Sequence, residues 1–289
     1  MLDVLTTAIA TGLLYGMLGF AIVVLFKMTG VPNFAAGSLA TLGAVAVYEL
    51  AVRHHLNLAL AITLGLVGLG VLGTVIYTVV MRYRDDAGVP NLTVRTLGLY
   101  LLLFALTDKG LGEGQPFSFP RLFPARALTL GPLRLTVADL GVLAIAFILT
   151  AAFAWAFRFT RAGLLLRGVA ADRETARLLG ANVRRLEAAS WALTAVLAAV
   201  VGILAAPTTL VSAGMMDESL LYVFAAVVIG GLTSLGGAFA GGVTVGVVQG
   251  FVHYYGNADL SLLAVFGLFL LTLLVRPYGM FGEPTPERL

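Results

Sequence analysis

Long apolar runs separated by short polar breaks occupy the chain almost from end to end. A spanning helix needs about 20 mostly apolar residues. Runs of that order fall at 4–26, 33–52, 57–81, 92–107, 136–157, 188–211, 219–233, 237–255 and 260–275. Those at 92–107 and 219–233 are short, so each either tilts little, thins the bilayer or enters part way. The pattern predicts an all-α, polytopic integral membrane protein. It has eight or nine transmembrane or partly spanning helices forming one domain over residues 1–289. MLDVLTT carries no basic residue ahead of its apolar run, so it reads as a retained span rather than a cleaved signal.

Composition agrees with lipid as the solvent. Hydrophobic residues make up 60% of the chain and the mean hydropathy is +0.99, well beyond soluble domains. A water-soluble chain of 289 residues cannot bury that much apolar surface. The 34 glycines suit close helix approach in a bilayer. There is no cysteine, which excludes disulfides, thiolate nucleophiles and cysteine-based metal sites. His54, His55 and His253 are too scattered to predict a metal site.

A net charge of +3 hints at nucleic acid until the basic residues are placed. Alternating spans put Lys27, Arg82, Arg84, Arg158, Arg161, Arg167, Arg173, Arg177, Arg184, Arg185, Arg276 and Arg288 on one side. Arg53, Lys109, Arg121, Arg126 and Arg134 fall on the other, with Arg95 near a segment end. Twelve against five places the first group in the cytoplasm and the N-terminus outside. No nucleic-acid partner is expected. The outer loop, about 108–135, is rich in Gly and Pro; that composition predicts no regular structure and suits a lid, a docking surface or a plain linker.

No GxxxxGK[ST] phosphate cradle occurs, so the chain is not expected to hydrolyse ATP itself, and no catalytic residue is predicted. Ser190 and Ser212 have no histidine nearby in sequence, and His253 has no acid in its own segment, which argues against an intramembrane enzyme. Glu49, Arg95, Asp139 and Asp259 all lie near segment ends. A stand-alone ion-coupled transporter calls for ionisable groups near mid-membrane instead.

One polar island interrupts this pattern. RGVAADRETARLLGANVRR, residues 167–185, holds five arginines and two acids, in a chain that is 11% charged. Asp172 is a good helix N-cap, and Glu174 suits the positive end of the helix dipole. Ala176, Arg177, Leu178 and Leu179 continue the helix, and Gly180 with Asn182 gives a C-terminal stop. The product is about two turns long, too short to stand alone in water. Leu178, Leu179 and Val183 supply its apolar side, with Arg173, Arg177, Arg184 and Arg185 around it. Two readings follow: a helix lying on anionic headgroups, or a knob docking in a groove of a cytoplasmic protein.

The island, Arg167 to Val183, resembles the run R-A-V-A-x-[ND]-x-E-x-A-R-L-L-G-I-[ND]-V found in the branched-chain amino acid permease family of ABC importers. GLLYGMLGFAIVVLFKMTGVPNFAAGSLATLGA (12–44), FAAVVIGGLTSLGGAFAGGVTVGVVQG (224–250) and RPYGMFGE (276–283) are similar, in order, to other parts of the shorter of its two permease types. The resemblance implies a multi-pass permease of the bacterial inner membrane. Its implied partners are a second homologous permease, two cytoplasmic ATP-binding subunits that hold ATP and Mg, and an extracytoplasmic substrate-binding protein. No cofactor would bind this chain directly. Asp172, Glu174, Ala176, Arg177, Leu178, Leu179 and Gly180 would form the helix coupled to the ATP-binding subunit. The solute would be a branched-chain amino acid or a similar small polar molecule; sugar or nucleoside, and urea, amide or aromatic acid, are the alternative classes.

Interrupted helices mark candidate solute contacts, because freed backbone groups face a cavity there. One interruption holds Asn33, Phe34 and Ser38. The family often shows N-F-A-H-G-E at this place, where this chain has Ala36 and Ser38, which leaves the solute open. The other holds Gly230, Gly231, Thr233 and Ser234, where tight helix packing is the competing reading. Thr244 and Gln249 are further polar candidates on 237–255.

Overall fold

The computed structural model describes residues 2–82, 89–111, 115–124, 127–130 and 133–282. Among them the helices run α1 (Leu2–Thr29), α2 (Ala36–Tyr48), α3 (Leu58–Ile76), α4 (Val89–Ala105), α5 (Val137–Phe159) and α6 (Arg161–Ala171). They continue as α7 (Arg173–Leu178), α8 (Val183–Ala205), α9 (Asp217–Gly230), α10 (Leu235–Tyr255) and α11 (Ala258–Val275). Six are long and apolar enough to cross a membrane: Val4–Thr29, Leu58–Met81, Val137–Phe159, Val183–Thr208, Leu235–Tyr255 and Ala258–Val275. The other apolar runs give shorter helices, α2 with 13 residues, α4 with 17 and α9 with 14. α2 and α4 are each extended by a wider π turn, over Glu49–Arg53 and Leu106–Leu111.

The Gly- and Pro-rich loop departs from expectation, because it contains strands. β1 (Phe117–Ser118) pairs antiparallel with β4 (Leu210–Val211), and β2 (Ala127–Leu130) with β3 (Leu133–Thr136). ALTL and LRLT alternate in polarity around Gly-Pro, a hairpin signal that the composition of the whole loop conceals. Arg84, Arg126, Glu283 and Arg288 lie outside the described residues.

The chain divides into two compact units. One comprises Val24–Pro120 and Ile148–Asp217. Its centre is α2, buried continuously from Ala36 to Val45. Gly202 of α8 lies so close to α2 that a Cβ there would overlap the Ala40 carbonyl, and Gly43 faces Ala199 in the same way. Gly73 of α3 meets the backbone of Trp191 and Ala192. Where lipid removes the hydrophobic drive between helices, such backbone-close contacts hold them by van der Waals attraction. The Phe117 ring stacks on Tyr48, centroids 3.9 Å apart, and so ties β1 to the end of α2.

The other unit comprises Met1–Val23, Arg121–Phe147 and Glu218–Leu289. Gly12 and Gly16 of α1 pack against Gly242 and Gly246 of α10. Tyr15 stacks on Tyr222 of α9 at 5.8 Å and donates a 2.8 Å hydrogen bond to Gln249 of α10. The final described stretch folds back on α9: Met280 N–H donates to the Ile229 carbonyl at 2.8 Å and Phe281 N–H to Gly230 at 3.1 Å. These bonds satisfy carbonyls that a helix end leaves open. Large apolar side chains such as Phe147, Trp155, Leu263, Leu270 and Leu274 stand exposed on α5 and α11, which suits helices solvated by lipid.

Candidate functional site

The polar island folds as a short helix held by caps at both ends. Asp172 has extended geometry, φ −150° and ψ 111°, and its carboxylate accepts from the N–H groups of Glu174 (3.0 Å) and Thr175 (3.2 Å). The Thr175 hydroxyl adds a 2.7 Å bond to the same carboxylate. At the other end Gly180 takes φ +86°, the left-handed conformation that glycine adopts without a Cβ penalty. Gly180 N–H donates to the Arg177 carbonyl and Ala181 N–H to Ala176, both at 3.0 Å. That pair of bonds is the Schellman closure. Asn182 plays a different part from the one read in sequence: its side chain accepts from Arg185 N–H and starts α8.

The apolar side is also rearranged. Ala176 and Val183 face inward and pack with Met28 and Val169, supported by Leu166, Ala170, Ala181 and Leu186. Leu178 and Leu179 do not join them, being 87% and 83% exposed. Helical phase turns Leu178 away, two residues past the buried Ala176, while Leu179 is the C-cap beyond the last helical residue and so leaves the Ala176 face. Ala176 is therefore an internal anchor, whereas Leu178, Leu179 and Arg177 form the free tip. Beside them Arg177, Gly180, Ala181, Asn182, Val183 and Arg184 border an open hollow of about 450 Å³.

Of the basic residues around the island, Arg173 turns inward. Its guanidinium forms a two-pronged ion pair with Glu187 of α8, Nη1 to Oε1 at 2.6 Å and Nη2 to Oε2 at 3.1 Å. The Tyr77 hydroxyl, past the end of α3, donates to Oε2 at 2.8 Å. Glu187 is 2% exposed. The sequence reading missed this residue because the apolar run begins after it, at 188. The available signal was the Asn182 cap: starting α8 there places Glu187 three, four and seven residues before Ser190, Trp191 and Thr194, all buried on one face.

The solute-pathway candidates fall in both units, Asn33, Phe34 and Ser38 in the one around α2 and the rest in the other. Asn33 and Ser38 are buried: the Asn33 Oδ1 accepts from Ala35 N–H at 3.0 Å, its Nδ2 has no partner, and Ser38 donates weakly to the Tyr100 carbonyl at 3.5 Å. Phe34 beside them is partly buried. Gly230 lies against Gly237, and Gly231, with φ +103°, against Gly282 and Tyr278; these glycines are occupied by packing. Ser234 caps α10 by accepting from Gly237 N–H, and Thr233 sits partly buried in the same turn. Thr244 spends its hydroxyl on the Ala240 carbonyl. Gln249 borders a hollow of about 450 Å³, shared with Thr7, Thr11 and His253.

Six membrane-length helices among the described residues, glycine-to-backbone packing and exposed apolar surfaces define a multi-pass α-helical membrane protein. Residues 4–274 match the family described as branched-chain amino acid transport system / permease component, and the chain belongs to that family. It is similar to the high-affinity branched-chain amino acid transport system permease protein LivH of Salmonella typhimurium, 25% identical over 300 residues, covering 97% of this chain and 95% of that protein. LivH of Escherichia coli is also 25% identical, over 299 residues, with the same coverage of 97% and 95%. The BraD permease protein of Pseudomonas aeruginosa is 33% identical over 132 residues, 45% of this chain and 43% of that one.

Proposed function

We propose that the chain is the translocating subunit of an ATP-driven importer in the cytoplasmic membrane, carrying branched-chain amino acids or a similar small polar solute by alternating access. Family membership and the names of the relatives support the transport class. The observation that carries the mechanism is the exposed pair Leu178 and Leu179 at the tip of a helix fixed by caps at both ends. Two leucines in water on a rigid peg are the form of a surface completed by another protein. A helix lying on headgroups would turn its arginines and leucines to opposite faces. Here Arg177 accompanies the leucines at the tip, and Arg173 is drawn inward.

In this reading the tip enters a groove on one of two cytoplasmic ATP-binding subunits, which hold ATP and Mg, and this chain performs no hydrolysis. Closure of those subunits pushes α7 and tips the spans between outward-open and inward-open states. A second homologous permease completes the membrane part, and an extracytoplasmic binding protein delivers solute. The hollow with Thr7, Thr11, Gln249 and His253 offers polar donors and acceptors suited to a small zwitterion or amide.

The test is the double variant Leu178→Asp, Leu179→Asp in proteoliposomes containing the complete complex. Charge cannot enter an apolar groove without a large desolvation cost, so uptake is expected to fall to background and co-purification of the ATP-binding subunits to weaken. Wild-type uptake by this variant would refute docking through α7.

A further inference from the structure

We infer that Arg173, Glu187 and Tyr77 form a strut that carries motion of α7 into the helical block of α2, α3 and α8; the inference rests on the docking reading above. Three observations meet here. First, the caps define a short peg, but hydrogen bonds at its own ends give α7 no grip on the spans. Among the described residues its side-chain grip includes the small apolar cluster around Ala176 and the two-pronged ion pair of Arg173 with Glu187. Methyl-sized contacts resist compression well and sliding poorly, whereas a planar guanidinium set against a carboxylate fixes direction as well as distance.

Second, the receiving carboxylate is placed to divide the load. Glu187 lies in the first turns of α8, and its Oε2 takes both an Arg173 nitrogen and the Tyr77 hydroxyl. Tyr77 belongs to the π turn Tyr77–Met81, which continues α3. One buried acid therefore joins the peg to two membrane helices. Third, those helices are not free to yield separately. Gly73 of α3 meets the α8 backbone at Trp191 and Ala192, Gly202 of α8 meets the α2 backbone at Ala40, and Gly43 of α2 meets the Cα and methyl of Ala199. A displacement that reaches Glu187 is delivered to a close-packed body, which transmits strain.

A buried, hydrogen-bonded ion pair is poor evidence of net stability, since well-packed apolar residues of like volume often replace one without loss. Its role here is directional. Arg173, Glu187 and Tyr77 are thus positioning residues, acting through α7 and α8 rather than on solute.

The experiment measures solute taken up per ATP hydrolysed by the complete complex in proteoliposomes, with co-purification of the ATP-binding subunits as the record of docking. Arg173→Ala is expected to keep docking and hydrolysis while the uptake-to-hydrolysis ratio falls about tenfold, within the range of ordinary coupling between sites. Arg173→Met with Glu187→Met removes both charges, keeps the volume and avoids an orphaned buried carboxylate, so it addresses coupling even if Arg173→Ala folds poorly. It is expected to assemble with the same low ratio. Arg173→Glu with Glu187→Arg is expected to recover part of it. A wild-type ratio in the double Met variant overturns the strut, because a purely structural pair would be replaced without consequence. That result would leave the defect of the Leu178→Asp, Leu179→Asp variant in place, so failure of the strut is distinguishable from failure of docking.

Discussion

Asp172→Ala offers a quantitative view of the peg, since it leaves every residue of the free tip untouched. In the structure this carboxylate accepts from two backbone N–H groups, at 3.0 and 3.2 Å, and from the Thr175 hydroxyl at 2.7 Å. Losing a cap of this kind costs about 1–2 kcal/mol. A helix of six residues has no further turns over which to recover the cost of nucleation. The penalty therefore falls almost wholly on the population of folded α7. One or two kcal/mol is a factor of about 5–30 in the folded-to-unfolded ratio of α7, so uptake by the complete complex should fall at unchanged expression, by at most that factor. Hydrogen exchange at the amides of 174–181 reports the same change directly, by loss of protection. Asp172→Ser restores a capping oxygen without the charge and should recover most of both signals. If Asp172→Ala matches the wild type in exchange and uptake, the peg is held by something other than its cap and this reasoning fails.

Two further outcomes address the framework. Gly202→Val places a branched side chain where even a Cβ overlaps the Ala40 carbonyl. Overpacking of this sort costs about 1–3 kcal/mol, so the purified permease should melt several degrees lower, at about 2–4 °C per kcal/mol. Adding Ala40→Gly should not restore it, because the obstacle is backbone; full recovery would show that the Ala40 methyl, not its carbonyl, is the obstacle. Ala36→His with Ser38→Glu tests whether family-like residues at these positions alter solute choice. Ala36 and Ser38 are both enclosed in the unit that surrounds α2, so the larger side chains should reduce folded yield before they change selectivity. A stable variant with a shifted ranking of competing amino acids and amides would contradict that placement.

Particular residues show how far the sequence could be read. Asp172 and Gly180 were legible as caps because capping is local, set by side-chain oxygen and by tolerance of positive φ. The inward turn of Ala176 and the outward turn of Leu178 and Leu179 were not legible, since six residues are too few for an apolar stripe to declare its phase. Glu187 escaped notice for the opposite reason: a charge at the edge of an apolar run ordinarily reads as interfacial. Its partners, Arg173 and Tyr77, lie 14 and 110 residues away in sequence. Ser234 and Thr244, read as candidate solute contacts, have local uses as well, as a cap and as a bond to the preceding turn. A short polar side chain in a helix has those local uses wherever it sits.

Sequence by itself determined that this chain dissolves in lipid, where its helices lie within a few residues, and that one charged peg interrupts them. Those properties follow from hydrophobicity and backbone preference, which act over one or two turns. Only the tertiary structure decided which leucines stay bare, which arginine turns inward and which carboxylate receives it. Such choices depend on groups brought together across the fold, where removing a charge or a methyl from solvent is compensated only by the neighbours that folding supplies.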